Sequence, residues 1–243
     1  MNYNALSLFS SAGVAETYFD KHGIHVKVAA ELLPQRAEIY KHLYPSVKMF
    51  QGDITEQDNF KKIIEAAKEE KCDFIIATPP CQGMSTAGLK KKDDPRNRLI
   101  IDVVKAIKLL NPKFVIIENV PEILQTKVEI DGEWIYIDTY LRSELGDKYE
   151  FNTNNVVNAM YYGVAQSRER CVYLLAAKSM QIKWEFPKPS KKITTMRDAI
   201  GDLPSLDPNV TDISSEELKK LFPDYEKKKR GISCIKMALS PSS

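Results

Sequence analysis

The sequence predicts an α/β protein built on a parallel sheet with helices on both faces. Three observations predict it. Apolar segments of strand length alternate with longer segments of helical period along the first half of the chain. The strand segments, such as Ile75-Ile76-Ala77 and Val115-Ile116-Ile117, are continuously apolar rather than alternating, as expected for strands covered on both faces. Gly13, Glu31, Asp53, Cys81 and Glu118 each fall just beyond a strand segment. In sheets of this kind ligands sit outside the carboxyl ends of the strands.

The elements follow in order. Ala5–Phe9 is a short apolar strand running into Ser10-Ser11-Ala12-Gly13, and Val14 to about Lys21 is expected as a helix. His25–Ala30 is a second strand, ending at Glu31. Pro34–Leu43 reads as a helix, with Pro34 suited to an early helical position. A short strand near Val47–Phe50 leads to Gly52-Asp53-Ile54, and Glu56–Glu70 is an amphipathic helix. Cys72–Thr78 is the next strand. Arg98–Leu110 is a helix stopped by Asn111-Pro112. Phe114–Ile117 is a buried strand ending at Glu118-Asn119, and Val128–Ile135 reads as a hairpin around Asp131-Gly132. Ile137–Leu145 is helical. Tyr149–Asn158 and Cys171–Ala176 are two further strands flanking YYGVAQSRER. After about Lys178, Pro, Lys and Ser become frequent. This gives a main domain over 1–178 and a linker with an incomplete further region over 179–243. Asp207–Ser243 shows no core pattern, and Lys227–Arg230 is a charge run typical of a solvated tail.

Composition narrows the function classes. The 243 residues are 43% hydrophobic and 28% charged, as in ordinary globular proteins, and suffice for one sizeable core. There is no run of 18 apolar residues and no basic leader before the first apolar segment, so neither a membrane span nor a signal peptide is expected. A net charge of +2 permits an acidic partner without demanding one. The four cysteines are widely spaced with no C-x-x-C pair, which argues against a disulfide framework and a zinc site and fits a reducing cytoplasm. Three histidines leave little for a histidine triad or metal cluster.

Several positions invite chemistry. Phe9-Ser-Ser-Ala-Gly13 is either a tight turn or a small-residue loop that lets a cofactor approach the backbone. Glu31 is either an exposed strand-end acid or an acceptor for ribose hydroxyls. Asp53 could hold an adenine amino group or simply make a turn. Most free cysteines are small buried hydrophobes, which suits Cys72, Cys171 and Cys234. Cys81 fits poorly, because Pro79 and Pro80 fix the backbone just before it and small polar residues follow. A stiff loop presenting a thiol suits a nucleophile. Glu118 is either a proton donor or a helix N-terminal acid. Arg168 and Arg170 form either a solvated turn or an anion- and base-binding pair. Lys90–Lys92 are either an exposed run or phosphate contacts.

Taken in order, these pieces resemble the DNA (cytosine-5) methyltransferases over about residues 5 to 177. Phe9–Gly13 is similar to the family's first S-adenosylmethionine motif, and Glu31 and Asp53-Ile54 to the next two. Pro79-Pro80-Cys81-Gln82 resembles the catalytic loop, Asp94–Leu99 the motif after it, and Glu118-Asn119-Val120 and Gln166–Arg170 the cytosine pocket. Thr195–Pro204 is similar to the entry of the target-recognition region. The resemblance implies a Rossmann-like S-adenosylmethionine-dependent sheet acting on double-stranded DNA, without a metal. Phe9, Ser10, Gly13, Glu31, Leu32, Asp53, Ile54, Pro79 and Leu99 would bind the cofactor. Cys81, Glu118, Arg168 and Arg170 would be catalytic, and Pro80, Gln82, Ser85, Asn119, Val120 and Gln166 would meet the flipped base or the DNA. Amino-group methylation needs an Asp/Asn-Pro-Pro-aromatic loop, whereas this chain has Thr78-Pro-Pro-Cys81. An RNA cytosine-5 enzyme, and an inactive truncated remnant or regulatory partner that binds cofactor or DNA, are the competing readings. Ser11 and Val14 stand where the family often has Gly. The family's late R-x-L-T-x-R-E and G-N-S-V segments have no counterpart here. The expectation is therefore a catalytic part that needs a second segment or polypeptide.

Overall fold

The computed structural model describes residues 2–80 and 95–203. A compact unit spans Met1–Thr195, and a second spans Met196–Ser243. The first unit contains β1 (Tyr3–Leu8), β2 (Ile24–Glu31), α1 (Pro34–Leu43), β3 (Lys48–Gln51), α2 (Gln57–Glu69) and β4 (Phe74–Ala77). It continues with α3 (Leu99–Leu110), β5 (Phe114–Asn119), β6 (Lys127–Ile130), β7 (Glu133–Tyr136) and α4 (Ile137–Leu145), then β8 (Tyr149–Phe151), β9 (Val156–Asn158) and β10 (Glu169–Ala177). In the second unit the described helix is α5 (Met196–Ile200).

The main sheet runs β3-β2-β1-β4-β5-β10-β8, with β9 also paired to β10. β1 to β5 are mutually parallel. Their carboxyl ends therefore share one edge of the sheet. β10 is antiparallel to β5, which brings its amino end, Glu169 and Arg170, to that same edge. Right-handed crossovers place α1 and α2 on opposite faces, because the chain steps outward from β2 to β3 and then back across β1 to β4. The β1/β4 boundary is the point where strand order reverses, and a crevice forms at such a point.

The period of two along each strand divides the apolar residues between the faces. Leu6, Leu8, Ile75, Ala77, Val115 and Ile117 join one core with Ile63, Ile64, Val103, Val104, Ile107 and Leu141 from α2, α3 and α4. Ala5, Phe74, Ile76 and Phe114 form a second cluster with Phe19, Met180 and Trp184. The Trp184 ring stands edge-on to Phe114 and Phe74, at 5.3 and 6.0 Å between centroids, so the stretch just after Lys178 packs on the sheet. α3 stops at Asn111, which adopts φ 45° and donates its N–H to Ile107 O at 2.8 Å before Pro112 excludes further helix.

Two expectations change. The segment from Val14 to Lys21 does not form an α-helix. Its bonds run from i to i−3, as in Phe19 N to Glu16 O and His22 N to Phe19 O, and they end in a 3-10 turn at Asp20–His22. Thr17, Tyr18 and Phe19 are weak helix formers, and Gly23 stops the run in the left-handed conformation. Tyr149–Asn158 is not one strand but two, because Asn152 turns away to bond the β10 backbone at Val172 O and Leu174 N. The hairpin around Asp131-Gly132 forms as β6 and β7.

Candidate active site

The carboxyl ends of β1 and β2 make the first half of the site. After Leu8 the backbone coils tightly, with positive φ at Phe9 (60°), Ser11 (51°) and Gly13 (79°). Ser10 N–H reaches across to Ala30 O at 3.0 Å, and Gly13 N–H closes the turn on Ser10 O at 2.9 Å. Glu31 is 6% exposed, with its carboxylate held by two backbone donors. Ser11 N–H bonds Oε2 at 2.8 Å and Leu33 N–H bonds Oε1 at 2.9 Å. Each oxygen keeps one lone pair for a further donor. Beside it Leu32 is 54% exposed, an apolar surface at the strand end. These features fit an adenosine-bearing cofactor: a fixed carboxylate for ribose hydroxyls, a coiled loop of small residues, and an apolar side chain for a base to lie against.

Asp53 and Ile54 take different positions. Asp53 Oδ1 accepts from Thr55 N and Thr55 Oγ1, both at 2.8 Å, and its backbone oxygen accepts from Asn59 Nδ2 at 2.9 Å. This turn leads into α2, and Oδ2 is the acceptor left for a ligand. Ile54 is 6% exposed and packs in the larger core.

The ends of β4, β5 and β10 make the second half. Thr78 Oγ1 donates to Phe9 O at 3.0 Å and joins the two halves. Pro79 is buried and Pro80 half-buried. Asn119, buried at the end of β5, donates Nδ2 to Pro79 O at 3.1 Å, while its Oδ1 accepts from Val120 N at 2.8 Å. The chain entering the Cys81 segment is thus tied to the chain leaving Glu118. Cys81, Gln82 and Ser85 lie outside the described residues. Leu99 opens α3 and packs half-buried on the core.

Glu118 faces Arg170 across the β5–β10 pair, with Oε1 2.9 Å from Nε. Its carboxyl is raised from the ordinary value of 4.5 because loss of water outweighs the opposing pull of Arg170 and Arg168. The side chain still keeps 35% of its surface, so it is reachable from solvent. Arg168 and Gln166 are exposed on the approach to β10. Asn158 fixes that approach, a role the sequence reading missed. Its Oδ1 accepts from Met160 N and Arg168 N, both at 3.1 Å, and its Nδ2 donates to Ser167 Oγ at 3.1 Å. An Asn ahead of a short helical turn is the signal that was available. Thr78 was likewise passed over, read only as the end of a strand.

Cys72 and Cys171 are buried, and burial pushes both thiols up to about 12, which leaves them inert. Among the described residues no group of three or more His, Cys, Asp or Glu is placed to hold a metal ion. None of the described helices is long and apolar enough to cross a membrane.

Known proteins similar to this chain point to one family. The family model for C-5 cytosine-specific DNA methylases matches residues 3–237. Type II methyltransferase M1.HgaI of Avibacterium volantium is 40% identical over 212 residues, covering 85% of this chain and 58% of that protein. M1.HphI of Haemophilus parahaemolyticus is 34% identical, covering 85% and 54%. The chain thus spans little more than half the length of these relatives. M.AquIA of Picosynechococcus is different: at 29% identity over 230 residues, the match covers 86% of this chain and 92% of that protein. Among solved structures, an E. coli prophage-encoded protein described as a DNA modification methyltransferase superposes with a TM-score of 0.67 at 26% identity, covering 84% of this chain and 56% of its own. Spodoptera frugiperda DNMT2 shares the fold, with a TM-score of 0.58 at 17% identity, covering 79% and 57%. A family match that runs over residues 3–237 shows that the chain belongs to the C-5 cytosine-specific DNA methylase family.

Proposed function

We propose that this chain is the catalytic part of a DNA cytosine-5 methyltransferase and works with a second polypeptide that carries the target-recognition region. The observations that support the reading are the Asn119–Pro79 bond and the Glu118–Arg170 pair, which tie the residues before Cys81 and a carboxyl raised by burial to the same end of β5. The match to M.AquIA, which covers 92% of that Type II methyltransferase, supports reading this stretch of chain as a methyltransferase unit.

In this reading the Phe9–Gly13 loop, Glu31, Leu32 and Asp53 hold S-adenosylmethionine. Bound there, it supplies a methyl group made electrophilic by its sulfonium. The target cytosine leaves the stack to enter the site. The Cys81 thiolate adds to C6, and the electron pair displaced from the C5–C6 bond moves into the ring toward N3 and O2. Glu118 in its neutral form donates to N3 and takes up that charge. Arg170, assisted by Arg168, supports O2 and keeps Glu118 oriented. C5 is then nucleophilic. C5 takes the methyl as the carbon–sulfonium bond breaks, which leaves a neutral thioether. Solvent then takes the C5 proton, its electron pair re-forms the C5–C6 double bond and expels Cys81 as thiolate, and N3 returns its proton to Glu118. The protein would work in the cytoplasm, on double-stranded DNA, as the partner of a restriction system.

The test is 5-methylcytosine in host DNA, quantified by mass spectrometry with this chain expressed alone and with the adjoining reading frame. Methylation is expected with the second frame and absent with Cys81→Ser. Methylation that survives Cys81→Ser sinks the mechanism. Methyl groups found in transfer RNA and not in DNA overturn the substrate.

A further inference from the structure

We propose that Tyr40 and Tyr44 of α1 are positioning residues for the cofactor loop, gripping it at Gly13 so that Ser11 and Glu31 keep their register. This rests on the cofactor reading above.

The two tyrosines stand one helical turn apart, with ring centroids 4.8 Å apart. The Tyr44 hydroxyl donates to Gly13 O at 2.8 Å. A methyl group placed on Gly13 would overlap Tyr44 Cε2 and stand 3.0 Å from Tyr40 Cε2. The volume a side chain would need at position 13 is therefore filled by α1. Gly13 has φ 79°, a conformation that an L side chain resists in any case.

The same helix is fixed to the site at its other end. Leu33, the residue before Pro34, donates its N–H to Glu31 Oε1 at 2.9 Å. A ten-residue helix spans about 15 Å, so α1 fastens the loop after β2 at its start and the loop after β1 at its end. Gly13 N–H closes on Ser10 O, and between those residues Ser11 N–H holds the other Glu31 oxygen. Loosening Gly13 loosens the donor that aims Glu31.

A buried polar seam lies beneath the clasp. Ser7 Oγ donates to Glu16 Oε1, and both residues are buried. Glu16 Oε2 and the Tyr40 hydroxyl are buried with no hydrogen-bond partner among the described residues. Burial holds the Tyr40 hydroxyl above the usual phenol range, and the Glu16 carboxyl adds to that. Such unused polar atoms cost stability. Their retention against the loop fits a seam set by the loop's shape rather than by optimal packing.

The test measures S-adenosylmethionine affinity by calorimetry on the full 243-residue chain with the second polypeptide present, alongside melting temperature and amide exchange over residues 10–14. Tyr44→Phe keeps the ring and removes only the hydroxyl. It should weaken binding about fivefold, speed exchange at Ala12–Val14 and leave melting nearly unchanged. Tyr44→Leu and Gly13→Ala should each weaken binding at least tenfold. The double variant should be no worse than the poorer single one, because the smaller leucine side chain leaves room for the new methyl. If wild type and both Tyr44 variants bind equally well, or if the double variant shows the sum of the single losses, the clasp is disproved while the cofactor reading stands. A wild-type chain that binds no S-adenosylmethionine even with the second polypeptide present overturns the cofactor reading and this inference with it.

Discussion

The two halves of the site handle their carboxylates in opposite ways. Glu31 is buried and held by two backbone N–H groups, which cannot move without moving the loops that carry them. Glu118 is partly open and held by an arginine side chain. Fixed dipoles suit a group that must stay in one place for a bound ligand. A side-chain cation beside a carboxyl raised by burial suits a group whose proton must come and go. The comparison teaches that one sheet edge carries two acids suited to different work in the proposed reaction, a rigid one for binding and an exchangeable one for proton transfer. What separates them is the partner, backbone or side chain.

Exchanging these properties should break the comparison, and the largest effect is expected at Glu118. Glu118→Gln keeps the shape and removes the proton, so methyl transfer in the complete enzyme should fall about a hundredfold or more while cofactor affinity holds. The pH profile sharpens this point. A carboxyl raised by burial stays neutral above the ordinary 4.5 and loses its proton as pH climbs through the raised value, so the rate should fall on that side. Arg170 lowers that value, so Arg170→Gln should move the falling limb to higher pH. A limb that moves down, or stays, contradicts the pairing.

Glu31→Ala comes next. It strands two N–H groups and removes the ribose acceptor, and should weaken cofactor binding about fiftyfold in calorimetry. Turnover at saturating cofactor should be much less affected. Asn119→Ala should do the reverse on a smaller scale. The freed Pro79 carbonyl loses its tie and the Cys81 segment its position, for about a tenfold loss in kcat with unchanged cofactor affinity. Ser11→Gly should have the smallest effect. Relief of left-handed strain at φ 51° slightly exceeds the entropy glycine adds to the unfolded chain, so melting should rise by about 1–2 °C. A drop would mean that the serine side chain contributes more than its strain costs.

Much of the molecule was legible because the signals were local. Pro34 marked the start of α1, Asn111-Pro112 marked the end of α3, and continuous apolar runs marked β1, β4 and β5. The failures came where distant partners override local pattern. Val14–Lys21 has apolar residues at helical spacing. Yet burial of Glu16 against Ser7 and a run of weak helix formers leave it as successive turns. Asn152 breaks the strand before β10 because its side chain replaces a neighbouring strand's backbone.

The sequence by itself determined the chemistry on offer: one stiffened thiol at Cys81, strand-end acids at Glu31 and Glu118, and arginines at 168 and 170. Side-chain types and their spacing are properties of the chain and need no fold to be read. Only the tertiary structure decided which of them meet. The reversal of β10 carries Arg170 to Glu118, Asn119 reaches Pro79 across the sheet, and Tyr44 closes on Gly13. Those pairs lie 31 to 52 positions apart, counting 170 from 118 and 44 from 13. Their geometry comes from strand order and crossover handedness, which no local window contains.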